Sequence, residues 1–188
     1  TSDAATSSSS ITFTVYGDRI TETGAGDTLG YTSTAEEGNF DTSNGFYSNQ
    51  LISEPGEYYE FSQDGGDWAG TTGLSFGLFD ETTYDVADLD EDLAGNAVKA
   101  VLRMRLQNTP FVFKDPASTL GRLNEEGFSA TVNTAEQWRV GLDAENRPYF
   151  AAYLNSAWTV VARTESPAPT GTEFRFVSIM PLANVLNG

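Results

Sequence analysis

The stretch WRVGLDAENRPYFAAYLNSAWTVVART, residues 138–164, decides the fold. Three runs rich in β-branched and aromatic residues, Trp138–Leu142, Arg147–Leu154 and Trp158–Arg163, are separated by Asp143-Ala144-Glu145-Asn146 and by Asn155-Ser156-Ala157. Residues with high β propensity between short clusters of turn formers predict an antiparallel meander. Trp138, inside QWRVGL, is expected in the core.

The same pattern continues outward in both directions. After a Ser/Pro/Thr/Gly connector at 165–172, EFRFVSIM (Glu173–Met180) reads as a closing strand. Upstream, KAVLRMRL (Lys99–Leu106) alternates with period two, and Phe111–Phe113 and Phe128–Val132 read as further strands. Between them, Asp115-Pro116 predicts one helical turn within 114–127. In LSFGLFD (Leu74–Asp80), Leu74, Phe76 and Leu78 share a face, and Gly77 suggests a bulge or a close backbone approach. EYYEFS (Glu57–Ser62) is a strand followed by the turn signal Gln63-Asp64-Gly65-Gly66-Asp67, and ITFTVY (Ile11–Tyr16) is another strand. Residues 21–50 read as loops with short strands at Thr28–Tyr31 and Gly45–Asn49. Roughly ten or more strands and no long amphipathic helix predict an all-β, antiparallel two-sheet β-sandwich of the jelly-roll type. Residues 1–10 read as a flexible Ser/Thr-rich linker, and 11–188 as one sandwich domain.

The meander of 138–164, its Pro/Gly connector and FRFVSIM resemble the second half of the concanavalin A-like sandwich superfamily. That superfamily includes legume-type and laminin-G-type lectin modules, SPRY domains, glucanases and lyases. EYYEFSQDG and GLSFGLFDE are similar to the strand–turn–strand of the first half of such domains. The resemblance covers 55–180 and implies two antiparallel sheets of about six strands each. It also implies a glycan or peptide ligand on the concave face or at the edge loops. The retaining glucanases carry a Glu-x-Asp-x-x-Glu strand, and no Glu here is followed two positions later by Asp. The lyases of this fold use a Tyr with a His or Gln neighbour, and His is missing.

Composition removes whole classes of chemistry. The chain has no Cys and no His, so thiolate nucleophiles, Ser-His-Asp triads and ordinary zinc sites are excluded. The net charge is −17, and residues 1–98 carry 19 acidic residues against Arg19 alone. Residues 99–188 carry nine basic and eight acidic residues. No basic cluster exists to meet nucleic-acid phosphates or anionic lipid, and no apolar run reaches the roughly 18–20 residues that cross a bilayer. A chain that begins at Thr1 with a Ser/Thr-rich run reads as a module of a longer extracellular or cell-surface protein.

Seven carboxylates fall within the 13 positions 80–92. Unscreened, they repel one another, and calcium takes six to eight oxygen ligands. Asp88, Asp90 and Asp92 match the first three ligand positions of an EF-hand loop, but Leu93 and Lys99 stand where that loop needs Gly and Glu. A different Ca²⁺ loop, built on Asp85, Asp88, Asp90 and Asp92, is the functional reading; a solvated acidic loop is the alternative. Trp68 lies in the glycine-rich GGDWAGTTG. With Asp64 and Asp67 it has the residue types that stack on a pyranose and bind its hydroxyls, as do Tyr149, Tyr153, Asn155 and Trp158 near the meander turns. Core or loop packing is the alternative for these aromatics. Arg103, Arg105, Arg139 and Arg147 have the chemistry to hold a carboxylate, though pairing with the abundant acids is the favoured reading.

Together these features predict a non-catalytic extracellular ligand-binding module. The expected partner is a glycan or polysaccharide, with a peptide as the other option in the same class, bound with or without calcium. A structural or receptor-binding domain of a phage or virus fibre or surface appendage is the alternative from a second class. A polysaccharide hydrolase or lyase is the third, since folding can bring two carboxylates together.

Overall fold

The computed structural model describes residues 13–16, 20–25, 28–33, 45–64, 75–83, 85, 101–105, 111–113, 123–125, 135, 137–179 and 185–187, with side chains for 13–14, 46–61, 76–83, 85, 135 and 137–178. Among them are fourteen strands: β1 Phe13–Tyr16, β2 Ile20–Ala25, β3 Thr28–Ser33, β4 Gly45–Ser48, β5 Tyr58–Asp64, β6 Ser75–Asp80, β7 Val101–Arg105, β8 Phe111–Phe113, β9 Leu123–Glu125, β10 Gln137–Leu142, β11 Pro148–Leu154, β12 Ala157–Thr164, β13 Phe174–Ile179 and β14 Val185–Asn187. They form a six-stranded sheet, β1-β4-β13-β6-β7-β8, and an eight-stranded sheet, β2-β3-β14-β5-β10-β11-β12-β9. Adjacent strands run antiparallel throughout. The expected all-β two-sheet sandwich is therefore the observed one, with more strands in the second sheet.

The core follows from period-two alternation. Trp138, Val140 and Leu142 of β10 point inward beside Phe150 and Ala152 of β11, and meet Phe76 and Leu78 of β6 and Phe174 and Phe176 of β13. Edge-to-face contacts link the sheets: Phe61 sits 5.0 Å from Phe76 and 5.1 Å from Phe176, and Phe76 sits 5.2 Å from Trp138. The Trp138 indole N–H donates to the Ala135 carbonyl at 3.2 Å, so this core tryptophan leaves no donor unpaired.

One polar knot lies inside this core. Tyr59, on β5 of the larger sheet, reaches the smaller one with its hydroxyl 2.7 Å from the Gln50 carbonyl and 3.1 Å from that of Phe174. The buried Ser48 hydroxyl lies 2.9 Å from the Gln50 carbonyl and 3.1 Å from the Tyr59 oxygen, and accepts from Phe176 N–H at 2.9 Å. Burial pushes the Tyr59 hydroxyl up to about 12.

Some local expectations change. Leu123–Glu125, within the region expected to hold a helical turn, is strand β9, paired with β12; the rest of that region, 114–122 and 126–127, lies outside the described residues. So do the strand expected at Phe128–Val132 and the linker at 1–10. Gly77 makes no bulge: its register runs unbroken against Val177 and Arg103.

Candidate functional site

The outer face of the eight-stranded sheet carries the site. In β10, Arg139 and Gly141 face outward while their neighbours enter the core. Register sets Arg139 between Glu60 of β5 and Ala151 of β11, and Gly141 between Tyr58 and Tyr149. A Cβ at Gly141 would collide with the Glu57 carbonyl and with Tyr58, so only glycine lets β5 and β10 approach here.

The third strand reaches this face through a β-bulge. Phe150 pairs with Ala162, but Ala151 pairs with Val160, leaving Val161 over. Val161 and Ala162 both enter the core, while Trp158, Val160 and Arg163 stay outside despite their uneven spacing. Strict alternation would have turned Arg163 inward.

These side chains surround a hollow of about 310 Å³. Ala151 and Val160 form its floor, and Tyr58, Arg139, Tyr149 and Trp158 its walls. The Arg139 guanidinium carbon lies over two rings, 4.4 Å from the Tyr58 centroid and 4.1 Å from that of Trp158. Arg139 Nε donates to Glu60 at 2.8 Å, and Tyr153, the one large exposed hydrophobic residue among those described, meets Trp158 edge to face at 5.3 Å. Cation–π contacts on both rings and one ion pair hold the guanidinium in place. Burial pushes the Tyr149 hydroxyl up to about 12, with nearby Arg139 opposing.

Asp143 and Arg163 line the rim. Asp143 serves its own hairpin: Oδ1 accepts from the N–H groups of Glu145 and Arg147, both at 2.9 Å, and Oδ2 from Arg147 Nε at 2.9 Å. Arg163 approaches Oδ2 only to 3.6 Å. Burial pushes this carboxyl up, but the backbone bonds from Arg147 and Glu145 and the Arg147 guanidinium outweigh it and hold the pKa below the usual carboxylate range. Asn146, at φ 62°, closes the turn and binds the Ala168 backbone of the 165–172 connector at both N–H and C=O.

The hollow gathers three of the residues singled out from sequence: Tyr149 and Trp158 line it, and Tyr153 borders Trp158. Asn155 sits instead in the exposed β11–β12 turn, where Asn155 (φ 52°) and Ser156 (φ 65°) adopt the left-handed region that a two-residue I′ hairpin requires. Asp64 ends β5 and pairs with Val185, and its side chain, like Asp67 and Trp68, lies outside what is described. Tyr58 and Arg163 were not singled out, although alternation in EYYEFS already separates Tyr58 and Glu60 from the core residue Tyr59. For Arg139 and Arg147 the sequence favours pairing with acids over holding an anion, and both pair: Arg139 with Glu60, and Arg147 with Asp143 and Glu145.

Two members of the acidic run are engaged in the fold. Asp80 accepts from Thr82 N–H, Thr83 N–H and the Thr83 hydroxyl. Glu81 forms a two-pronged pair with Arg175 at 2.9 and 3.1 Å. Asp85 is exposed; Asp88, Asp90 and Asp92 lie outside the described residues, and no metal-holding group of three ligand side chains occurs among the described ones.

No family model matches this chain, and no curated protein matches it by sequence. Among solved structures it is similar to the crystal structure of the TRIM65 PSpry domain, with a TM-score of 0.55 and 10% identity over 95% of this chain and 90% of that one. At that identity the likeness concerns the backbone path, and it shows that this chain adopts the SPRY-type, concanavalin A-like jelly-roll fold.

Proposed function

We propose that this chain is a non-catalytic binding module that takes a glycan in the hollow walled by Tyr58, Arg139, Tyr149 and Trp158. The observation that carries the proposal is the aromatic wall itself. Three rings and a guanidinium stand around a floor of small side chains on a solvent-facing sheet. About 310 Å³ is the lower end of the range for ligand pockets, enough for one sugar ring and not for a large cofactor. The ring faces that Arg139 leaves uncovered offer a pyranose a stacking surface, and the polar groups around them offer hydrogen bonds to its hydroxyls. An absence of Cys and His leaves the commonest nucleophile–base pairs without their parts, which favours binding over turnover. The extracellular setting expected from the acidic composition belongs to the same proposal.

A glycan array, run with and without calcium and followed by titration of the hits, tests it. Trp158→Ala should weaken the best hit at least tenfold while leaving the fold intact. If no glycan binds at millimolar concentration in either condition, the proposal is wrong.

A further inference from the structure

The hollow contains polar groups that the protein does not use. Of the five N–H donors of the Arg139 guanidinium, only Nε–H is bonded, to Glu60. The four on the terminal nitrogens have no hydrogen-bond partner among the described residues, and neither has the Tyr149 hydroxyl; both side chains are part-buried and line the same space, and these polar atoms stay open to solvent and so to a ligand. Arg139 is also pinned, by Glu60 at Nε and by the Tyr58 and Trp158 rings over its faces. Its unused edge is therefore presented in a fixed direction. The carboxylate on the rim does not compete for it, because both oxygens of Asp143 are taken up by the Asp143–Arg147 turn.

Donors held open in this way favour a particular kind of ligand. Four N–H donors and a phenol call for a planar acceptor, and a guanidinium edge matches a carboxylate with two parallel bonds. We infer that the ligand is an acidic glycan whose sugar carboxylate is received by the terminal nitrogens of Arg139 and by the Tyr149 hydroxyl. This rests on the glycan reading above and names its substrate class. Charge narrows the class further. A chain of net charge −17 repels a dense polyanion at long range, so the acidic sugars must be isolated along an otherwise neutral oligosaccharide.

The probe is a xylohexaose bearing a single glucuronic acid, compared by calorimetric titration with its carboxyl-reduced, neutral counterpart. Wild type should bind the acidic sugar about ten times more tightly or better, as expected for charge-assisted bidentate bonds. Raising sodium chloride from 0.05 to 0.5 M should weaken only the acidic sugar. Arg139→Gln should abolish the difference between the two sugars. Tyr149→Phe removes a hydroxyl that the fold does not use; it should leave the melting temperature unchanged and shrink the acidic preference severalfold. Equal affinity of wild type for both sugars overturns this inference and leaves the glycan reading standing. Binding of neither sugar, with no hit on the array, overturns the glycan reading itself. Binding of an acidic peptide but of no glycan, with the same dependence on Arg139, overturns the inference as stated by assigning the edge to a protein partner.

Discussion

Replacing Ser48 by alanine should cost more stability than replacing Tyr59 by phenylalanine, although each change removes a single hydroxyl. The reason lies in what each change leaves unpaired. β4 and β13 stay in register only as far as Val177 opposite Tyr47. At the next step the Phe176 N–H goes to the Ser48 hydroxyl at 2.9 Å, while the Ser48 carbonyl accepts from Arg175. Ser48→Ala therefore takes the 2.9 Å acceptor from a buried backbone donor, leaving the Phe176 N–H only the Tyr59 oxygen to turn to, and it also loses the bond that the serine hydroxyl donates; a poorly satisfied buried group costs about 1–3 kcal/mol. In Tyr59→Phe the Phe174 carbonyl keeps Ile52 N–H at 3.0 Å and the Gln50 carbonyl keeps the Ser48 hydroxyl at 2.9 Å. No buried group is orphaned, and the loss should be about 1 kcal/mol. The expected losses are about 2–3 kcal/mol for Ser48→Ala against about 1 kcal/mol for Tyr59→Phe, or roughly 5–10 °C against 2–4 °C in Tm for a domain of this size. Urea unfolding at constant slope, checked by calorimetry, measures both. The reasoning is refuted if Ser48→Ala costs less than Tyr59→Phe, or less than about 0.5 kcal/mol, the size of an ordinary surface substitution.

Three further outcomes are expected. Ser156→Gly should raise stability by about 0.5–1 kcal/mol in urea unfolding, because φ 65° at this hairpin position costs a side chain about 1–2 kcal/mol and glycine's added backbone entropy takes back only part of that. The folded Asp143 carboxyl is held below its usual range, so its contribution is complete above about pH 4 and disappears as pH falls through the folded value. Asp143→Asn should accordingly be less stable than wild type at pH 7, with the gap closing toward pH 2.5 in a series of urea midpoints. If the 80–92 run takes calcium through Asp85, Asp88, Asp90 and Asp92, millimolar calcium should raise Tm by several degrees and chelator should reverse it. An equal rise with sodium chloride at matched ionic strength would assign the effect to screening.

The parts of the fold legible in the sequence are those whose side chains carry the signal. The 138–164 meander has long apolar and aromatic runs and two turns of Asp, Asn and Ser, and its observed strands match within a residue or two. By contrast β2 (ITETGA), β9 (LNE) and β14 (VLN) are short or polar. β2 pairs only with the next strand, β3, whereas β9 and β14 exist because distant backbone partners supply their hydrogen bonds: Leu186, for instance, lies opposite both Tyr31 and Gln63. Nothing in three residues announces that. The site shows the same division. Tyr149, Tyr153 and Trp158 stood out as aromatics near turns, but strict alternation does not place Arg163 beside them. The bulge at Val161 does, and the run TVVART conceals it. Arg139 looked like one of several arginines destined for ion pairs, and it does pair with Glu60. Its stacking over Tyr58 and Trp158 comes from strand order, β5-β10-β11-β12, with Ala151 small enough between them for the side chain to reach across. Asp80 and Glu81 read as part of one acidic cluster, whereas folding gave each a structural partner.

The most direct measurement is a chemical-shift titration of ¹⁵N-labelled protein with the glucuronic acid-bearing xylohexaose. Binding in the hollow predicts that the Trp158 indole N–H and the backbone amides of Arg139, Tyr149, Ala151 and Val160 shift together along a single saturation curve. Shifts confined to the glycine-rich segment around Trp68, or to β4, β13 and β6 of the smaller sheet, would contradict it and place the binding surface elsewhere on the sandwich.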